Sequence, residues 1–320
     1  METARQQMAC MEVWGGSHLA NHATEFGGLD AWIYSKPYGD ARRGGDVVYA
    51  SSCATGRIAR LMVADVAGHG QVVAGTAADL RLLMRRFVNC LDQTELVRQL
   101  NRQFVELQAQ AAFATAIVAT YFAPTRRLTL CNAGHPRPLI YSAARREWRF
   151  LSSHEGSRAA GPRNLPLGIL GIADYDASDV ELQDGDCVLA YTDGLIEAQD
   201  ADGEMLGESG VHKILGLLGH LEPATLIATL LTEIGDRYPD NLSADDLTLM
   251  LVRATPRQTQ YTVGDRLRAF GRVCRAAVGS IRPGAERPPM PDLNLANVGG
   301  AIVPALARRW RSTRAGGAVP

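Results

Sequence analysis

No Cys-x-x-Cys pair occurs among the six cysteines (positions 10, 53, 90, 131, 187 and 274), and Cys131 and Cys187 fall inside strand-like apolar runs. That pattern argues against a stapled scaffold and for reduced core cysteines in a cytosolic protein. No uninterrupted apolar run approaches the ~18 residues of a membrane span, and Met1-Glu-Thr-Ala-Arg lacks the apolar core that opens a signal peptide. The expectation is a soluble, cytoplasmic protein. Gly-x4-Gly-Lys and a Gly-x-Gly-x-x-Gly after a strand are both absent, which disfavours nucleotide-binding folds. Net charge is also nearly absent, at −1, but the balance is uneven. Through residue 254 there are 22 basic and 31 acidic residues, a net −9; beyond it there are 11 and 3, a net +8. The acidic core argues against nucleic-acid binding there, and the basic tail is a separate matter.

What is present begins with length. A chain of 320 residues can bury roughly 75% of its unfolded surface and needs no staple. Its organising stretch runs from Gly44-Gly45-Asp46 to Asp65-Val-Ala-Gly-His-Gly70. Two β-rich runs, 47–51 and 58–64, flank a Thr55-Gly56 turn and read as a hairpin. Antiparallel pairing then brings Asp46 and Asp65 to one sheet edge. Paired carboxylates repel unless a cation lies between them, and hard oxygen ligands suit Mg2+ or Mn2+. The layout recurs downstream: one strand ends at Asp193, and another opens just after Asp245. If these strands are neighbours of the first pair, four carboxylates outline a two-metal site.

The ordered motifs Gly-Gly-Asp46, Asp65-Val-Ala-Gly-His-Gly70, Asn132-Ala-Gly-His-Pro136, Pro166-Leu-Gly168, Thr192-Asp-Gly194 and Asp245-Asp-Leu-Thr248 resemble the metal-dependent PPM serine/threonine phosphatases. More narrowly, they resemble the bacterial SpoIIE-like branch, over about residues 31–254. The resemblance implies an α+β layered sandwich, with two central, mostly antiparallel sheets flanked by helices. It implies two divalent cations, Mn2+ or Mg2+, with Asp65 bridging both, Asp46 on one, and Asp193 and Asp245 on the other. The Val66 carbonyl is a further implied ligand. Asp246 is read as orienting Asp245 from behind, although the two could exchange roles. His69 is the candidate general acid, with a supporting role behind the metal ligands or a turn role as the alternative. The implied reaction is hydrolysis of phosphoserine or phosphothreonine by a hydroxide bridging the two metals, with an anti-sigma-factor antagonist as the type of substrate. Arg42 and Arg43, just upstream of Asp46, could grip phosphate or form a solvated loop pair. Two other functions remain open: a silent partner-binding module on the same fold, and a hydrolase of small phosphoesters.

The remaining stretches are secondary. Residues 1–30 read as a lead segment in which His18 and His22 are surface groups, since a zinc site needs three or four ligands. Helices are expected over 72–91 and, with Thr94 as N-cap, 94–110; strands over 115–122, 127–131 and 138–141; helices over 211–218 and 224–238. His135 reads as a turn residue fixed by Gly134 and Pro136. The polar loop 152–164 is a candidate substrate contact, and Asp200-x-Asp202-x-Glu204 lacks the later ligands of a calcium loop. Residues 255–320 form a basic tail, in which 263–281 reads as an amphipathic helix. Its candidate targets are the chain's own acidic core, a partner protein, or an anionic membrane surface. Opposite charge favours the first, although salt limits its reach to about 8 Å.

Overall fold

A computed structural model describes residues 5–7 and 13–256, apart from 53–55, 89, 91, 108–111, 152–160 and 239–240. In chain order the strands are β1 (Arg5–Gln7), β2 (Val13–Gly16), β3 (Ala20–Phe26), β4 (Leu29–Lys36), β5 (Asp46–Ser52) and β6 (Ile58–Val66). Two helices follow, α1 (Ala74–Phe87) and α2 (Gln93–Leu107). Then come β7 (Ala114–Phe122), β8 (Arg127–Ala133), β9 (Leu139–Ser142), β10 (Glu147–Phe150), β11 (Ala177–Glu181) and β12 (Cys187–Tyr191). Helices α3 (Gly207–Leu218) and α4 (Pro223–Gly235) precede the last described strand, β13 (Leu247–Ala254). The strands form a seven-stranded sheet, β1-β3-β4-β13-β12-β9-β10, and a six-stranded sheet, β11-β8-β7-β6-β5-β2. All pairings are antiparallel except β1 with β3. The α+β sandwich expected above is the observed fold.

Its apolar layers follow from the two-residue period of a strand. Between the sheets lie Ile33, Val48, Ala50, Leu61, Val63, Val188, Ala190, Met250 and Val252. The alternate residues face outward. Val47, Tyr49, Met62 and Ala64 pack on Leu80, Met84, Leu96 and Leu100 of α1 and α2. Trp32, Leu189, Leu249 and Leu251 pack on Val211, Leu215, Leu226 and Leu230 of α3 and α4. Both faces of the central strands are therefore covered, which is why their sequences read as continuous apolar runs.

Two expectations need correction, the lead segment and the helix cap. Residues 13–30 are not a lead segment: β2 pairs with β5, and β3 and the start of β4 extend the seven-stranded sheet. His18 and His22 are both exposed, as the sequence reading expected. Helix α2 is capped by Asp92, not Thr94. The Asp92 Oδ1 accepts from the Glu95 N–H (3.0 Å) and from the Thr94 hydroxyl (2.8 Å). A carboxylate wins because it serves a main-chain donor at the positive end of the helix. Asp200 Oδ1 is occupied by the N–H groups of Asp202 (2.9 Å) and Glu204 (3.1 Å), so its carboxylate closes its own loop. The tail helix expected over 263–281 and most of the loop over 152–164 lie outside the described residues.

Candidate metal centre

The site lies at one end of the layer between the sheets, where the inward-facing positions change from apolar to polar. Continuing the two-residue period past the apolar layer gives Asp46 on β5, Asp65 on β6, Ser35 on β4, Thr192 beyond β12 and Thr248 on β13. Asp46 and Asp65 are direct cross-strand partners in the β5–β6 register. Thr192 N–H donates to the Thr248 carbonyl at 3.0 Å, which carries the β12–β13 pairing one step further and sets Asp193 beside the Asp245–Asp246 turn. The two sheets meet through a side chain: the Thr192 hydroxyl donates to Asp46 Oδ2 at 2.9 Å.

Five carboxylates interact at this edge. Burial, and then the neighbouring Asp193, Asp245 and Asp246, push Asp65 up to about 8. Asp46 is raised well above the carboxylate range by burial and then by Asp65, against the opposing hydroxyls of Thr248 and Thr192. Burial also raises Asp193 and Asp245. Asp46 Oδ1 is buried without a hydrogen-bond partner. Among the described residues, no three His, Cys, Asp or Glu side chains are arranged as a ready-made metal site. The donors nevertheless suit a hard divalent cation in kind: all are oxygens, their charges repel, and one is buried unpaired. Positive charge here would relieve each cost at once.

Asp246 does more than the sequence suggested. Its main-chain N–H donates to Asp245 Oδ1 at 2.7 Å, so the backbone orients Asp245. Its carboxylate faces the opposite sheet and accepts N–H groups from Tyr38 (2.6 Å), Gly45 (2.7 Å) and Gly70 (3.1 Å). One buried side chain thus takes three N–H groups from two loops, the β4–β5 connection and the segment after β6. Two glycines make room for it: a Cβ on Gly44 would lie 2.2 Å from Asp246 Oδ1, and one on Gly194 would lie 2.4 Å from the Asp246 carbonyl.

The other candidates are placed differently. His69 is exposed, its ring centroid 4.4 Å from that of Tyr38, and it only partly opposes the burial that raises Asp245. The Val66 carbonyl faces Gly45, where a Cβ would approach it to 2.9 Å. Arg42 and Arg43 are exposed, and no ion pair or hydrogen bond fixes either among the described residues. His135 is buried in a turn: its Nδ1 is 2.8 Å from the Thr115 hydroxyl, and Asn132 brackets its backbone at 2.8 and 2.9 Å. Sequence reasoning missed the hydroxyls of Ser35, Thr192 and Thr248, which the two-residue period could have revealed. It also missed Glu197, an exposed carboxylate raised by burial and by Asp193 and Asp245.

The sequence profile of the stage II sporulation protein E (SpoIIE) family matches residues 55–255. The phosphoserine phosphatase RsbU of Bacillus subtilis (strain 168) is 24% identical over 144 residues, 45% of this chain and 40% of that protein. The match therefore spans well under two thirds of that curated relative. The solved RsbU and RsbW domains of Rv1364c from Mycobacterium tuberculosis align with a TM-score of 0.58 at 22% identity, over 82% of this chain and 72% of that one. RsbX in complex with magnesium aligns with a TM-score of 0.55 at 16% identity, over 74% and 100%. Likeness at these identities establishes the fold.

Proposed function

The chain belongs to the SpoIIE family, and from that premise we propose that it is a divalent-cation-dependent phosphatase of phosphoserine and phosphothreonine in a regulatory protein. The observation that carries this reading is the pairing of Asp46 with Asp65 across β5 and β6, beside Asp193 and Asp245 on the other sheet. The magnesium complex of RsbX and the phosphoserine activity of RsbU support it by analogy. When bound, two cations (Mn2+ or Mg2+) would neutralise phosphoryl charge and acidify the attacking water. Asp65 would hold both, Asp46 and the Val66 carbonyl one, and Asp193 and Asp245 the other.

The chain's own residues do the rest. Asp246 draws the β4–β5 loop, through Tyr38 and Gly45, and the Gly70 loop against the carboxylate edge, so the substrate meets a fixed surface. Exposed His69, whose charge acts on Asp245, would give a proton to the departing serine oxygen. Arg42 and Arg43 extend freely near the start of β5, where a guanidinium could pair with phosphate oxygens. An anti-sigma-factor antagonist is the substrate type we infer, from the RsbU likeness. A silent binding module is the weaker alternative, because every carboxylate that the reaction requires is present.

The test is phosphate release from a phosphoserine protein and from a generic aryl phosphate, with and without Mn2+. Asp65→Asn and Asp193→Asn should each abolish turnover in a folded protein, and excess chelator should do the same to the parent. Undiminished activity in either variant or in chelator would falsify this reading. Preference for the aryl phosphate would instead favour a hydrolase of small phosphoesters.

A further inference from the structure

At the metal edge each inward strand position ends on a polar side chain, and these side chains are bonded to one another across the sheets. Thr192 and Thr248 are fully buried, while Ser35 is 3% and Asp46 2% exposed. The Thr248 hydroxyl reaches the Ser35 hydroxyl at 2.9 Å, and the Thr248 N–H donates to the Thr192 hydroxyl at 2.8 Å. The Thr192 hydroxyl has one proton and two acceptors within range: Asp46 Oδ2 at 2.9 Å and the Thr248 carbonyl at 3.4 Å. The Asp46 oxygen is the closer acceptor, so it takes the proton. One threonine therefore accepts from its own sheet and donates to the other.

The consequence falls on Asp46. Oδ2 is committed to Thr192, while Oδ1 is buried with no partner. A carboxylate held by one oxygen cannot rotate freely, and only the other oxygen is available for a ligand. We propose that Thr192 is a positioning residue: its hydroxyl locks Asp46 across the two sheets so that Oδ1 alone is presented to a divalent cation. Hydrogen bonds to ligating carboxylates set both ligand orientation and affinity. The inference rests on the metal-site reading above and adds to it a residue that contacts neither the cation nor the substrate. It also accounts for the hydroxyl that precedes Asp193, which the aspartate chemistry alone does not require.

The test is calorimetric titration of the full-length protein with Mn2+ in the absence of substrate, with folding checked by thermal denaturation. Thr192→Val removes the hydroxyl at nearly constant volume and should weaken Mn2+ binding about 10- to 100-fold, the usual consequence of removing such a partner. Thr192→Ser keeps the hydroxyl and should restore binding to near the parent's. If Thr192→Val does not fold, Thr192→Ala deletes the same group in less space and takes its place. Parental affinity in the hydroxyl-free variant overturns the proposal, and so does an equal loss in Thr192→Ser, which would make shape the cause. Asp65→Asn separates the two levels. If it too binds Mn2+ like the parent, the metal-site reading fails and this inference with it. If Asp65→Asn loses binding while Thr192→Val keeps it, only the role of Thr192 is wrong.

Discussion

Burial acts on Asp65 and His135 with opposite sign. Asp65, an acid raised to about 8, stays protonated in the cation-free fold where the unfolded chain has ionised. Its contribution to stability is present below its unfolded pKa and is lost as pH rises toward 8. A bound cation would reverse that by favouring the ionised form. His135 is a base that burial lowers to about 3, with only the Tyr191 backbone favouring its charge. Its unfolded value is near 6.5, so above that pH it has no effect, and below it the unfolded chain takes up a proton that the fold refuses. Stability should therefore fall by about 2 kcal/mol from this group between pH 7 and 5, at 1.36 kcal/mol per pKa unit. The check is twofold: the His135 ring should not titrate between pH 8 and 5 by NMR, and urea denaturation should show that loss in the parent but not in His135→Gln. A His135 ring that titrates near 6.5 would refute the assignment.

Elements show where the sequence could be read and where it could not. The β5–β6 hairpin was legible because its strands are apolar on both faces and bounded by Gly44-Gly45 and a Gly56 turn. The carboxylates were legible for the same reason, since each sits at a strand end. Strands β10 and β11 were not: both are edge strands of four or five residues, partly exposed, and carry Glu, Arg or Asp where alternation is weak. The Asp246 contacts were illegible in principle, because their partners are backbone N–H groups contributed by loops about 175 to 210 positions away. The cap of α2 was misread because Thr94 is itself a good capping residue. The structure makes a sharp distinction there. Asp92→Ala should cost roughly 1 kcal/mol, the usual value of a lost cap, and Thr94→Ala only a fraction of that. Urea denaturation of the two variants checks it; equal losses would mean that Asp92 is not the cap.

Across the whole molecule, the question is how much chain the sandwich needs. No helix among the described residues is long and apolar enough to cross a membrane. β13 is central, paired with β4 on one side and β12 on the other, so its loss would divide the seven-stranded sheet. Its last turns are fastened as well. Ala254 N–H donates to the Asp186 carbonyl at 2.9 Å, Thr255 N–H donates to the Gly28 carbonyl at 3.1 Å, and the Thr255 carbonyl accepts from Arg126 at 3.4 Å. A truncation that is to keep the sandwich must therefore keep Ala254 and Thr255. A chain ending at Pro256 should fold cooperatively and keep metal-dependent turnover, whereas one ending at Met250 should not fold. Removing residues 257–320 also removes a net +8 from a protein whose first 254 residues carry −9. If the basic tail docks on that acidic core, the full chain should lose the contact as salt rises, because surface attraction fades beyond a Debye length of about 8 Å. The truncated protein should then show a flatter salt dependence of activity than the full chain. Identical salt profiles would remove the self-docking reading and leave a partner protein or membrane as the tail's target. An insoluble or inactive chain ending at Pro256 would show that the tail is part of the catalytic core.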